Sequence, residues 1–207
     1  MLKTYLKSTV LGRFLKDNKG TAAIEFIFIA PVMLITYFGL AEISLVVSAD
    51  RGVSHATSVA ADLSTQSEIL DDDTIEDIFN ATLAVMSITP TQAARVSIDM
   101  ISFEKDGSGN ITEVGYAKLG SGLSTKFTPP ATLSAALLNA TSGLLVARIE
   151  YKYVSPSGLG YYVKTPTLSE TFMLKPRKST TIPFINGSSS TVTCTLTTVN
   201  SKPRASC

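Results

Sequence analysis

Residues 16–38 read KDNKGTAAIEFIFIAPVMLITYF, and the fold turns on how this stretch is understood. A charged segment ends at Gly20, an apolar run follows, and Glu25 lies just inside that run. A carboxylate facing lipid costs roughly 2.5 to 3.5 kcal/mol even on lenient insertion scales. Residues 26–41 are uncharged, and beyond Glu42 the run resumes as Ile43-Ser44-Leu45-Val46-Val47. As a helix, 26–47 is about 33 Å long, enough to cross a bilayer. Ahead of it stand Lys3, Lys7, Arg13, Lys16 and Lys19 against Asp17 alone. Short basic flanks stay on the cytoplasmic side, so the expected topology is a single pass with the bulk of the chain outside. The 207 residues, 44% hydrophobic with a net charge of +1, suit one modest domain plus a membrane element. The near-neutral charge argues for no nucleic-acid partner.

Three readings of the apolar run compete. A cleaved signal peptide has a shorter core followed by a small-x-small site, and Ser48-Ala49-Asp50 matches that poorly. A plain signal anchor explains length and orientation but leaves Glu25 without a reason. The third reading places a cut ahead of the run. Gly20 followed by Thr21-Ala22-Ala23-Ile24-Glu25-Phe26 resembles a prepilin peptidase site, with cleavage after the glycine and Glu25 as fifth residue of the mature chain. The resemblance implies that Glu25 meets the freed amine of a neighbouring subunit. A buried carboxylate needs a cationic partner, and cleavage at Gly20–Thr21 creates an ammonium at the same depth. The simpler alternative is that Glu25, five residues from the charged flank, sits among the headgroups. Glu42 is expected at the outer interface, and Pro31 removes one backbone donor from the helix.

Past Val47 the helical period continues. Ala49, Val53, Ala56, Val59, Ala60 and Leu63 form one apolar stripe, giving a single helix of about 45 residues, the first half apolar and the second amphipathic. In SEILDDDTIED, 67–77, the run 73–76 is a candidate capping box for a second helix through Met86. The period then changes to that of strands. Residues 95–118 read as a β-hairpin turning at EKDGSGN, 131–139 as a short helix, 143–154 as the strongest strand, 155–162 as a turn and 166–175 as a fourth strand. The expected fold is α+β: a long N-terminal transmembrane and amphipathic helix, then a small antiparallel sheet. The expected organisation is a basic leader over 1–20, a transmembrane helix over 21–48, juxtamembrane helices over 49–90, the sheet over 91–178 and a Ser/Thr-rich tail over 179–207.

LLVARIEYKYVSP, 144–156, and SETFMLKPR, 169–177, resemble the central strand and the closing Pro-Arg strand of the TadE/TadG-like proteins of Tad pilus systems. With Gly20, Glu25 and the apolar run, the likeness spans roughly 16–178. It implies a pilin-like fold and a minor pilin or pseudopilin of the bacterial inner membrane that helps build an adhesive type IV-like pilus. The implied partners are other pilin or pseudopilin subunits, a prepilin peptidase, the inner-membrane assembly machinery and the lipid bilayer. Two other readings stay open: an anchored assembly scaffold never incorporated in the fibre, and a single-pass extracytoplasmic binding module. No family feature maps onto 179–207.

Catalytic constellations are missing from the sequence, and no enzyme or cofactor is expected. His55 is the only histidine, which excludes a multi-His metal site within one chain. There is no G-x-S-x-G, P-loop or H-E-x-x-H. Asp71-Asp72-Asp73 suits a helix N-terminus without a cation. DGSGNITE lacks the glycine and glutamate of a calcium loop and reads as a hairpin turn. Asn80, Asn110, Asn139 and Asn186 begin Asn-x-Ser/Thr triplets of the kind a Ser/Thr-rich chain produces by chance. Cys194 and Cys207 are the only cysteines. Outside the cytoplasm an intrachain disulfide is the preferred reading; a free or interchain Cys207 is the alternative.

Overall fold

The computed structural model describes residues 20–121, 123, 126–128, 142–155, 166–187 and 189–207. It divides into two compact units, Met1–Leu45 and Val46–Cys207. Helix α1, Thr21–Thr65, begins in the first and ends in the second. Next come β1, Leu70–Asp71, α2, Asp72–Met86, and the short α3, Pro90–Ala93. Strands β2, Val96–Lys105, β3, Ile111–Leu119, β4, Gly143–Lys152, and β5, Thr167–Leu174, follow. The chain closes with β6, Phe184–Ile185, β7, Thr191–Val199, and β8, Lys202–Ser206. The expected short helix at 131–139 and most of the turn at 155–162 lie outside the described residues.

In the first unit the apolar side chains of α1 point outward: Phe28 and Ile35 are each 74% exposed. Two hydroxyls here bond carbonyls one turn back, Thr36 Oγ1 to Val32 at 2.9 Å and Ser44 Oγ to Leu40 at 2.9 Å. Such back-bonding satisfies a hydroxyl without water.

In the second unit the last turns of α1 bury Val53, Ala56, Thr57, Ala60, Ala61, Ser64 and Thr65. The sequence stripe is therefore shifted toward small side chains, which let a helix lie close on a sheet. Thr57 and Ser64 satisfy themselves on the carbonyls of Val53 and Ala60, both at 2.7 Å. Ile75, Ile78, Phe79 and Leu83 of α2 join the same core with Ile98, Met100, Ala117, Leu119, Leu145, Ala147 and Ile149 of the sheet. On the opposite sheet face Ile101, Phe103, Leu144 and Val146 form a second cluster. The cap of α2 is Asp71 rather than the expected Asp73: its carboxylate accepts from Thr74 N at 2.9 Å.

The main sheet has the order β5-β4-β2-β3-β7-β8. Its first four strands form the antiparallel set read from the sequence. The whole sheet is mixed, because β7 runs parallel to β3, with Tyr116 opposite Thr191 and Leu119 opposite Cys194. The stretch 179–207, expected as a tail, is instead folded into the domain. Val192, Cys194 and Ala205 are buried in the core. Alternation of Thr with apolar residues along β7 carries the strand signal; the Ser/Thr-rich composition hid it. β7 and β8 form a hairpin closed by Asn200 and Ser201, both at positive φ (50° and 59°), as a two-residue turn of this twist requires. The register shifts between Ser102 and Phe103 opposite Gly115. A Cβ on Gly115 would come within 2.5 Å of the Phe184 ring, so β6 seats on the sheet only because this position has no side chain.

Candidate functional site

Gly20, Thr21 and Glu25 stand together at the start of α1. Gly20 is exposed and immediately precedes the helix, and a Cβ there would meet nothing within 4 Å. The Gly20–Thr21 bond thus borders regular structure. Positions 21 and 25 are four apart, so they share one side of a helix. Glu25 is exposed, with Ile24, Phe26 and Ile27 exposed around it. A lone carboxylate, one turn from the helix start, is thereby set in an otherwise apolar surface. α1 is the one described helix long and apolar enough to cross a membrane. Residues 20–62 match the TadE-like protein family. The matched stretch opens at Gly20, takes in Glu25 and the apolar run, and ends three residues short of the end of α1. The strand likenesses at 144–156 and 169–177 lie outside the matched TadE-like stretch. No curated protein and no solved structure matches the chain.

Cys194 and Cys207 lie in the other unit and are bonded to each other, Cα atoms 4.0 Å apart. The bond joins β7 to the residue after β8, at the end of the hairpin opposite its turn. No group of three or more His, Cys, Asp and Glu suited to a metal ion occurs among the described residues. His55 is exposed. Asp106 accepts from the backbone N–H groups of Ser108 and Asn110 at 2.9 and 2.8 Å. The hydrogen bond from Asn110 chiefly holds its carboxyl below the usual range. It acts as a turn-former.

Sequence reasoning missed two polar features of this unit. Arg177, of the Pro-Arg pair after β5, forms an ion pair with Asp62 and donates its backbone N–H to the Thr65 carbonyl at 3.1 Å. It thus holds the end of α1, and its only sequence signal was the resemblance of 169–177. Asp99, on β2, is buried. Burial pushes its carboxyl above the usual range, against the opposing effect of a hydrogen bond from Tyr116 and the charge of Arg148. Tyr116 is pushed up to about 12, by burial first and by the Asp99 charge second. Alternation made Asp99 look solvent-facing; only the second cluster on that sheet face reveals otherwise.

Proposed function

We propose that this chain is a minor pilin or pseudopilin of a Tad-type pilus, held in the bacterial inner membrane before assembly and contributing to surface adhesion. The observation that carries the reading is the carboxylate of Glu25 on an exposed apolar helix surface, one turn beyond Gly20, inside the TadE-like stretch. The basic segment ahead of Gly20 stays cytoplasmic, and the sheet unit lies outside the membrane. A prepilin peptidase cuts Gly20–Thr21. The new Thr21 ammonium then pairs with Glu25 of an adjacent subunit, which explains why an expensive carboxylate belongs there. The role is structural, with other pilus subunits and the assembly machinery as partners.

The mature N-terminus is the direct test. Mass analysis of the membrane-bound protein is expected to find Thr21 first, and the protein itself is expected in sheared surface fibres. Gly20→Val meets no neighbour within 4 Å of the added Cβ, so it should leave the fold and insertion alone while blocking the cut. An intact N-terminus in cells with active peptidase would overturn the reading. Processed protein that supports piliation but never enters fibres would transfer it to an anchored assembly scaffold.

A further inference from the structure

Helix α2 is acidic at its beginning and has no basic residue in its last turn. Asp73 and Asp77 are exposed at its beginning, one turn apart, and Glu68 is exposed just before it. At its other end lies a groove of about 450 Å³ between α2 and β8. Leu83, Ala84, Ile88 and Pro203 give it apolar walls, and Lys202 and Arg204 supply two cations. Both cations are exposed, and neither has an acidic partner among the described residues. β8 runs back along α2: Cys207 N donates to Glu76 at 3.1 Å and Ala205 N to Asn80 at 2.9 Å. The strand thereby fixes the cations beside the last turns of the helix. Asp73 stands roughly 10 Å along the helix from Asn80, the first residue of the groove, and neither it nor Asp77 forms an ion pair with either cation among the described residues.

We infer that this groove receives the acidic beginning of α2 from a second copy of the same chain. Charge complementarity selects the occupant: the stripe through exposed Asp73 and Asp77, half-buried Asn80, and exposed Ala84 and Ser87 is acidic where it begins and meets the β8 cations where it ends. The two patches differ, so the contact is heterologous and repeats from copy to copy without closing. Such a contact suits a subunit of a fibre; the inference rests on the pilus reading in that respect, though the contact itself does not require it. Exposed pairs are individually weak, about two- to fivefold in affinity, so it serves to orient subunits already concentrated in a membrane.

The test uses the full chain, expressed as two differently tagged copies and recovered together from membranes in mild detergent at low salt. Reversing one patch in every copy, by Lys202→Glu with Arg204→Glu or by Asp73→Lys with Asp77→Lys, should lower co-recovery about tenfold. Combining all four reversals in one chain should restore it to within about twofold of wild type, because each reversed patch again meets its opposite. Mixing the two double variants should also restore it. Circular dichroism checks that each chain folds. If a reversal disturbs α2, the neutral changes Asp73→Asn with Asp77→Asn and Lys202→Gln with Arg204→Gln provide the comparison, each lowering co-recovery by a smaller factor. Co-recovery indifferent to both reversals, or not rescued by the fourfold change, overturns the contact. Loss of fibre incorporation with unchanged self-association would assign the groove to another subunit and also overturn it. Protein found in fibres with charge-indifferent self-association removes this inference and keeps the pilus reading. Rescuable self-association in a chain absent from fibres does the reverse.

Discussion

Glu25 illustrates how a single side chain acquires value from its surroundings. Its carboxylate is unfavourable on an apolar helix surface until a cation arrives, and the proposed cation appears only after cleavage and only on another subunit. Glu25→Leu should therefore leave membrane level and Thr21 processing normal. Recovery in complexes or fibres should fall sharply, since leaving one member of a buried pair alone costs about 3 to 5 kcal/mol. Wild-type assembly of Glu25→Leu, measured in sheared fractions, would reduce the glutamate to an interfacial residue. Asp99 poses the opposite problem, a charge that burial disfavours. Tyr116, Arg148, Glu150 and Lys118 are the titratable groups that act on it. With its folded pKa raised, the native state holds a proton that the unfolded chain releases. Stability then declines as pH rises from the unfolded carboxylate range through the folded value, and the full penalty applies above it. Asp99→Asn should raise the unfolding midpoint at pH 7, with the gain shrinking as the pH is taken toward 4. A gain independent of pH would exclude the protonation account.

At the level of elements, the sheet edge at β8 shows how a helix can protect a strand. An unpaired edge invites association with another chain. Here Pro203 lacks a donor, Asn80 takes the Ala205 N–H, and Glu76 takes that of Cys207. The bond between Cys194 and Cys207 holds the same hairpin at its open end. Asn80→Ala should cost about 1 to 2 kcal/mol in chemical denaturation, because it leaves a partly buried backbone donor without a partner. Asn80→Asp keeps the acceptor and should be milder. Equal losses for both substitutions would mean that the contact is packing rather than hydrogen bonding. Asn80 also begins one of the Asn-x-Ser/Thr triplets noted in the sequence, and this hydrogen bond gives the residue a structural role.

For the whole molecule, the mixed sheet ties the last strands to the first. β7 reaches β3 only after β4, β5 and β6 have been laid down, and it carries Val192 and Cys194 into the core. Ending the chain after residue 178 would remove Phe184, Val192, Cys194 and Ala205 from that core and uncover β3 as an edge. The shortened protein should be inserted in the membrane yet lose its cooperative unfolding and become sensitive to protease. A truncated form as resistant as the full chain would show that 179–207 is dispensable to the fold.

Near-neighbour physics decided what was legible beforehand. An uninterrupted apolar run, a basic flank and a continuing 3.6-residue period suffice to set α1 and its amphipathic continuation, because these depend on residues a few positions apart. Alternation marks β2 and β-branched and aromatic content marks β4, and Glu25 was conspicuous because a charge in an apolar run needs no tertiary context to be anomalous. The sequence alone therefore determined the long helix, the antiparallel strands and the candidate processing site. Only the tertiary structure decided that Asp99 is buried and that Arg177 holds the end of α1. It also turned the Ser/Thr-rich stretch into core strands, one of them parallel to β3. The physical reason is range: each of these depends on groups far apart in sequence, such as Asp62 with Arg177, or on which face of a strand is covered. Composition cannot encode that, because a threonine-rich strand is as soluble outside a sheet as it is stable within one.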